Sequence, residues 1–324
     1  VHLIQSGKET HLSVATSLTN TGTVAAADDL TINATSVDSS GTLAAGLNSE
    51  GQLADFAAEG SVLTVTTTED LTSTGTNLAQ GQLTLDGDNV DLSESQTSAY
   101  EADITARGDL ASWQANIVTN ESLSLQAEGA LDNTGGTLSS QQGDLRVGAL
   151  SLNNDQGKLL ADNNLDISLS ESLSNTDGTV YAGNNARLDT GALTNTGTIA
   201  AANQLTIDAS SVDSTGTLAA GLSTDGSRRA IDANGAELSI TTRGDLKASG
   251  QNLASGRLML EGANVDLSKS QTSAYSADIA ARRDLDTWQG SIVTNESLSL
   301  QAEGGLITPV ARFPVRAAIW LSGR

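Results

Sequence analysis

Residues 194–222 read TNTGTIAAANQLTIDASSVDSTGTLAAGL, and residues 19–47 read TNTGTVAAADDLTINATSVDSSGTLAAGL. The offset that relates Thr19 to Thr194 also relates Trp113 to Trp288. The chain therefore contains a long internal repeat, and repeat architecture decides the fold.

The long repeat keeps its register without a gap. Residues 19–129 match residues 194–304 with no insertion, although residues 51–60 and 226–235 have diverged. A duplication that diverges in composition but not in length indicates that each residue has a fixed place in a rigid lattice.

A shorter repeat lies inside the long one. A segment reading LDNTGGTL begins at Leu131, and related segments begin at Leu152, Leu173 and Leu193. Between these segments, apolar residues alternate with polar ones, which indicates short strands, while Asn-Thr-Gly and Asp-Gly are turn chemistry. The leading leucines recur at a period of about 20 residues, and such a period predicts a solenoid.

These signals predict an all-β fold, a right-handed parallel β-helix with coils of about 20 residues and about three short strands per coil; the crossover rule gives the hand. One coil buries roughly four aliphatic side chains at about 1.5–3 kcal/mol each. Ordering its backbone costs about 1–2 kcal/mol per residue, so a lone coil is unstable and must stack on neighbours. We expect one continuous β-helical shaft over residues 1–305. The long repeat occurs in it twice, as copy one at about 19–129 and copy two at about 194–304.

The composition limits the partners. The formal net charge is −23 and the sequence pI is about 4.1, so the surface repels nucleic acid phosphates. The chain has no Cys, and it has no apolar run long enough to span a membrane. We expect neither nucleic acid nor a membrane span nor a cofactor. Because the chain starts at Val1 without a signal-like segment, we expect it to be an internal fragment.

The carboxy-terminal sequence breaks the pattern at residues 306–324. From Ile307 it reads ITPVARFPVRAAIWLSGR, where copy one continues after Leu131 with DNTGGTLSSQQGDLRVGA. Deleting the first base of codons GAT AAC ACC GGT GGC ACG CTT TCC AGT, which encode DNTGGTLSS, yields ITPVARFPV. We therefore predict that this non-repeat tail is an out-of-frame ending on a longer repeat array.

Two Arg-Gly-Asp triplets are candidate receptor contacts: Arg107, Gly108 and Asp109, and Arg243, Gly244 and Asp245. Such a triplet engages cell-surface receptors when a loop displays it. Asp-Leu follows other turns of this repeat as well, and neither triplet is preserved in the other copy. A structural turn is therefore the favoured interpretation.

Four aromatic residues occupy equivalent positions in the two copies: Tyr100 with Tyr275, and Trp113 with Trp288. Exposed aromatic rings stack on sugars or anchor protein partners, so these residues are candidate partner contacts. In a thin solenoid a lone ring more often covers part of the core, and this is the favoured interpretation.

Metal binding and catalysis have little support. Asp86, Asp88 and Asp91 supply oxygen ligands of the kind calcium takes, but copy two has Ala263 at the middle position, so a solvated turn is favoured. The two histidines lie at the start of the chain, and the acids are scattered singly in turns. We predict no metal site, no catalytic residues and no enzymatic activity.

The LxNxGxLxA cadence, as in LSNTDGTVYA from Leu173 and LTNTGTIAA from Leu193, resembles filamentous haemagglutinin repeats. The SQTSAY blocks at 95–100 and 270–275 share this resemblance. The family consists of large exoproteins of Gram-negative bacteria, which an outer-membrane transporter exports by two-partner secretion. They form β-helical filaments on the cell surface; some are adhesins, and others carry a toxin for contact-dependent growth inhibition.

The resemblance implies a secreted, surface-displayed filament segment that projects a distal functional tip. Its expected partner is the two-partner transporter, although the secretion domain with its Asn-Pro motifs is not expected here, because no Pro precedes Pro309. The alternatives are a module that binds a host-cell receptor or glycan through the side of the shaft, the stalk of a growth-inhibition toxin, and, least favoured, a polysaccharide-active β-helix enzyme.

Overall fold

The structure is a computed structural model, and it describes residues 3–48, 50–307 and 319–322. The chain divides into two compact units, Val1–Asp162 and Asn163–Arg324. Each unit is a parallel β-solenoid, and no helix occurs among the described residues. The predicted all-β parallel solenoid, with its coil period of about 20 residues, is confirmed.

The first unit contains nineteen described strands. They are β1 Leu3–Ser6, β2 Thr10–Asn20, β3 Thr23–Ala26, β4 Leu30–Ser39, β5 Thr42–Ala45, β6 Leu63–Thr67, β7 Leu71–Ser73, β8 Thr76–Ala79, β9 Gln82–Gly87, β10 Val90–Asp91, β11 Gln96–Ala99, β12 Glu101–Ala106, β13 Leu110–Ala111, β14 Asn116–Thr119, β15 Leu123–Ala127, β16 Ala130–Asp132, β17 Thr137–Ser140, β18 Leu145–Asn153 and β19 Lys158–Ala161.

The second unit contains eighteen described strands. They are β20 Leu165–Asn175, β21 Thr179–Ala182, β22 Asn185–Asn195, β23 Thr198–Ala201, β24 Gln204–Ser214, β25 Thr217–Ala220, β26 Glu237–Thr242, β27 Leu246–Ala248, β28 Gln251–Ala254, β29 Arg257–Gly262, β30 Val265–Asp266, β31 Gln271–Ala274, β32 Ser276–Ala281, β33 Leu285–Asp286, β34 Ser291–Thr294, β35 Leu298–Ala302, β36 Leu306–Ile307 and β37 Ile319–Ser322.

Each coil contributes one short strand to one sheet and a longer, bent stretch to the other. In the second unit the short strands run in the order β21-β23-β25-β28-β31-β34, and every pairing is parallel. Thr179 pairs with Thr198 and Thr198 with Thr217, so these two coils are equal in length. Equivalent residues of successive coils therefore lie in columns along the unit.

The core consists of columns of aliphatic side chains, one from each coil. One column of the second unit is Leu188, Ile207, Ile240, Leu260, Ile279 and Leu300. All six are at most 1 % exposed. The alternation of buried and exposed residues along β22 is what the two-residue period of the sequence predicts.

The number of strands per coil varies along the chain. The coil from β9 to β11 has the three predicted strands, whereas β22 runs unbroken through the bend at Gly191. Leu193 is the third residue after the buried Thr190, but Leu110 is the fourth after Ala106, and there the ladder is interrupted. The same four-residue spacing occurs in β20, between Leu169 and Leu173, but that strand continues with a register shift, so spacing alone does not decide whether the strand breaks.

One coil in each unit is much longer than the rest. Thr23 pairs with Thr42 at the ordinary step, whereas Thr42 pairs with Thr76, and Thr217 with Gln251. The additional chain leaves the lattice after Gly46 and after Gly221, each at a φ of 89°. It forms a short antiparallel hairpin in each unit, bridged at Leu47–Leu53 and at Leu222–Arg228.

The tail lies partly outside the described residues, which exclude 308–318 and 323–324. Leu306 continues the ladder by pairing with Leu285, and the β37 backbone pairs in parallel with β35. The assignment of residues 306–324 to an out-of-frame ending stays a prediction.

Candidate functional site

Glycine columns fix how closely the coils stack. Gly216 packs on Gly197, and Gly250 packs on Gly216, in the turns that precede the short strands. A Cβ added at Gly216 would overlap the carbonyl oxygen of Gly197. The glycine of the Asn-Thr-Gly motif is therefore required for steric reasons. At this corner the backbones of successive coils are in contact, and no side chain fits between them.

A ladder of buried polar side chains runs beside this corner. In the second unit the Asn175 amide donates to Asn195 Oδ1 at 2.8 Å, and the Asn195 amide donates to Ser214 Oγ at 3.0 Å. The Asn195 amide also reaches the carbonyl oxygen of Thr217 at 3.4 Å. These side chains are almost fully buried, so each hydrogen bond satisfies a group that would otherwise be unpaired in the core.

The same ladder occurs in the first unit. The Asn20 amide donates to Ser39 Oγ at 3.0 Å, and the Asn133 amide donates to Asn154 Oδ1 at 2.8 Å. Because each amide bonds the next coil, a coil shifted by one residue would leave donors and acceptors unmatched. The ladder therefore fixes the register of stacking.

Trp113 and Trp288 lie on the surface of their units. They are 38 % and 41 % exposed, and both interpretations of these rings, cover of the core and contact with a partner, stay predictions. The Lys269 Nζ lies 5.8 Å from the centroid of the Trp288 ring, a cation–π contact. Copy one has Glu94 at the position of Lys269, so the two rings have different electrostatic surroundings.

Tyr100 and Tyr275 are half-buried where a short strand ends. The Tyr275 hydroxyl donates to Glu296 Oε2 at 2.8 Å. This hydrogen bond to the carboxylate raises the pKa of Tyr275 above its usual value, since the neutral phenol is the form that donates. The phenol is thus engaged with its own unit.

The first Arg-Gly-Asp triplet is tied into the lattice. The Arg107 guanidinium donates to Asp86 Oδ1 at 2.6 Å and to the carbonyl oxygen of Thr67 at 2.9 Å. The Asp109 carboxylate accepts the backbone N–H of Ala130 at 2.8 Å. Gly108 lies between them without a positive φ. Arg107 therefore joins neighbouring coils, and the triplet occupies a bend of the solenoid.

The second triplet occupies the same bend with different contacts. The Asp245 carboxylate accepts the Asn264 amide at 2.7 Å, and the backbone N–H of Gly244 donates to the carbonyl oxygen of Ser210. The structural counterpart of Arg107 in this copy is Arg282, which donates to the carbonyl oxygen of Thr242 at 2.7 Å. The Arg243 side chain is exposed and takes no part in that arrangement.

The acids considered for calcium are engaged in other ways. Asp86 pairs with Arg107, and the Asp91 carboxylate accepts the backbone N–H of Ser93 at 2.9 Å. Within the described ranges, no cluster of three or more His, Cys, Asp or Glu side chains is arranged to hold a metal ion.

Asp225, in the second hairpin, has its pKa lowered by hydrogen bonding to the side chain and backbone of Ser227.

Two features were not predicted from the sequence. The hairpins were visible only as the diverged patches 51–60 and 226–235, which fall where the chain leaves the lattice. A shallow concavity beside Arg243 was not visible at all, because its lining comes from three coils. Columns of outward-facing residues, compared across the aligned coils, would have revealed it.

Comparison with known proteins gives a family. The haemagglutinin repeat model matches residues 3–62, 57–111, 114–176, 142–203 and 181–308. No solved structure matches the chain. The described residues contain no helix long and apolar enough to cross a membrane.

Two curated proteins are similar to the chain. Toxin CdiA of Yersinia pestis is 31 % identical over 280 residues, which are 85 % of this chain and 8 % of that protein. tRNA nuclease CdiA-2 of Burkholderia pseudomallei (strain 1026b) is 36 % identical over 113 residues, which are 34 % of this chain and 4 % of that protein. The chain thus spans less than a tenth of either relative.

Proposed function

The chain belongs to the haemagglutinin repeat family, and on this premise we propose that it is a segment of the shaft of a secreted, surface-displayed bacterial exoprotein. Its work is mechanical: it holds a distal functional tip, adhesive or toxic, away from the producing cell. The observation that carries the proposal is the register of the buried ladder and the glycine columns, which bind each coil to the next.

Export by an outer-membrane two-partner transporter fits this chain. It has no Cys, so no disulfide hinders passage as an unfolded chain. Its stability comes from contacts between neighbouring coils, so folding can propagate coil by coil as the chain emerges. The transporter is the one partner that the shaft function requires.

The segment itself has no catalytic step in this proposal. The relatives' names, toxin and tRNA nuclease, describe proteins of which the chain matches 8 % and 4 %. The shaft columns contain aliphatic, amide and hydroxyl side chains in a stacking role. A polysaccharide-active enzyme is the least favoured alternative, because, of the acids considered as site residues, Asp91 caps a turn and Asp86 pairs with Arg107.

A second function, contact between the side of the shaft and a host-cell receptor or glycan, is favoured by the exposure of Trp113 and Trp288. Tyr100 and Tyr275 are weaker candidates, since both are half-buried. The triplet at 107–109 is weaker still because its charged groups are engaged, whereas in the triplet at 243–245 only the arginine is available.

An exchange of coils in the longer parent protein tests the shaft function. Residues 194–304 are replaced by residues 19–129, which have equal length and register. If the segment is a spacer, cell-to-cell adhesion or growth inhibition by the producing cells is unchanged, because the new coils stack in the same way.

The matched control is the same parent carrying Ile207→Pro and Ile240→Pro, which remove two strand N–H donors from the interior of the ladder. This variant is expected to lose surface display and activity. Loss of activity in the exchanged protein despite normal display would refute the spacer and favour contact through copy-two residues. Full activity in the proline variant would refute the requirement for a stacked shaft.

A further inference from the structure

A concavity of about 280 Å³ opens on the second unit, on the outer side of the bend in β22, β24 and β26. Its polar lining is formed by Asp189, Thr190, Asp208, Ser210, Thr241 and Arg243. The volume lies just below the range of about 300–1,000 Å³ for ligand pockets, which limits the site to one small polar group.

Two carboxylates lie side by side in this concavity. Asp189 and Asp208 are directly paired residues of β22 and β24. Like charges directly opposite each other in a sheet are destabilising. The Arg187 guanidinium offsets this only in part, at 3.8 Å from Asp189 and 3.5 Å from Asp208, since all three side chains are about half exposed.

Arg243 faces the same concavity with its guanidinium available. That guanidinium forms no ion pair or hydrogen bond with any residue in the described part of the chain. The Arg107 guanidinium, by contrast, is bound to a carboxylate and to a backbone carbonyl. An unpaired guanidinium presents a planar fork of donors that matches a carboxylate.

The first unit shows that the fold does not require these charges. Val14 pairs with Ala34 as Thr190 pairs with Ala209, so Ser13 takes the place of Asp189 in the lattice. The offset between the copies puts Asn33 at the place of Asp208, and Thr68 at that of Arg243. Neutral residues thus stand at all three positions in the first unit, so stacking does not account for the three charges of the second unit.

We propose that this concavity binds a carboxylated sugar unit of a glycan. Arg243 donates two hydrogen bonds to the sugar carboxylate, and Asp189 and Asp208 accept hydrogen bonds from its hydroxyl groups. Ser210 and Thr241 add hydroxyls that can donate or accept. The site gives the side-contact function a location and a ligand class and depends on that function, whereas the shaft function stands without it.

Titration of the purified chain with tri-galacturonate and with its carboxyl-reduced counterpart, trigalactoside, tests the proposal. By calorimetry or NMR shift mapping, the acid is expected to bind at least tenfold more tightly, with shifts at Arg243 and Asp208. The variants install copy-one residues, which this lattice position already accepts: Arg243→Thr and Asp208→Asn. Arg243→Thr is expected to remove the preference for the acid, and Asp208→Asn to weaken both ligands.

Arg146→Thr is the matched control, since Arg146 is an exposed arginine of the first unit paired with Asp144. It is expected to leave binding unchanged, and circular dichroism verifies that every variant folds. Absence of tri-galacturonate binding, equal binding of the two trisaccharides, or an unchanged Arg243→Thr variant would overturn the site. None of these outcomes bears on the spacer function, which the coil exchange tests separately.

Discussion

Replacing Asn195 by Ala removes the central rung of the buried ladder in the second unit. Asn195 accepts from the Asn175 amide and donates to Ser214 and Thr217, and it is fully buried. The substitution therefore deletes three hydrogen bonds. It also leaves the buried Ser214 hydroxyl and the part-buried Thr217 carbonyl with fewer partners.

The expected cost is about 3 kcal/mol, since each net hydrogen bond contributes about 1 kcal/mol and unsatisfied buried groups add to the loss. The second unit, Asn163–Arg324, is the part of the chain that this loss affects. With an unfolding entropy of about 2.1 cal/mol/K per residue, that cost lowers the Tm of a cooperative unit of this size by about 9 °C.

Thermal unfolding followed by circular dichroism measures this shift. Asn185→Ala is the matched control, because Asn185 lies on the same strand but is exposed, and it is expected to change the Tm by less than about 2 °C. Asn195→Ser is expected to fall between the two, since Ser39 and Ser214 occupy ladder positions naturally. Equal Tm values for Asn195→Ala and Asn185→Ala would refute the role of the ladder.

Three other predictions concern steric fit, ionisation and the tail. Gly216→Ala is expected to lower the Tm far more than Gly7→Ala, because an added Cβ meets the Gly197 carbonyl in the first case and nothing within 4 Å in the second; equal shifts would contradict this. Alkaline absorbance titration is expected to show Tyr275 ionising above the ordinary value of 10.0, with Glu296→Gln returning its pKa toward that value. Because the folded pKa is raised, the stabilisation is present below pH 10 and is lost as pH rises through the raised pKa. Inserting one base after the codon of Leu306 is expected to restore a repeat reading DNTGGTLSS; a locus whose shifted frame lacks repeats would disprove the out-of-frame origin.

The parallel solenoid could be predicted from the sequence because its constraints are local and recur. Leu205 and Ile207 show the two-residue period, and Gly216 marks the corner where no side chain fits. Coil length followed from the spacing of the leucines that lead each short repeat. The number of strands per coil did not follow from the sequence, because the same four-residue spacing at a bend gives a broken ladder after Ala106 and an unbroken strand in β20.

The candidate site was harder to predict, because residues that are neighbours on the surface of a solenoid come from successive coils and are therefore far apart in the sequence. Arg107 and Arg243 each begin an Arg-Gly-Asp triplet. The Arg107 side chain is bound to a neighbouring coil, whereas the Arg243 side chain forms no ion pair with any described residue. The difference comes from neighbouring coils. Asp86 lies within ion-pair distance of Arg107, whereas no described carboxylate lies within that distance of the Arg243 guanidinium.

The hairpin after Gly46 has an evolutionary consequence. The chain departs there and rejoins the ladder at Leu63 in register. Most residues between 50 and 59 are exposed and form an outcrop, although Leu53 packs on the core and the Ala57 N–H donates to the carbonyl oxygen of Gln80. Sequence change elsewhere must satisfy two neighbours at once, but at this outcrop it meets mainly solvent. Antigenic drift and the grafting of foreign epitopes should therefore concentrate on the outcrop, leaving the rungs beneath unaltered.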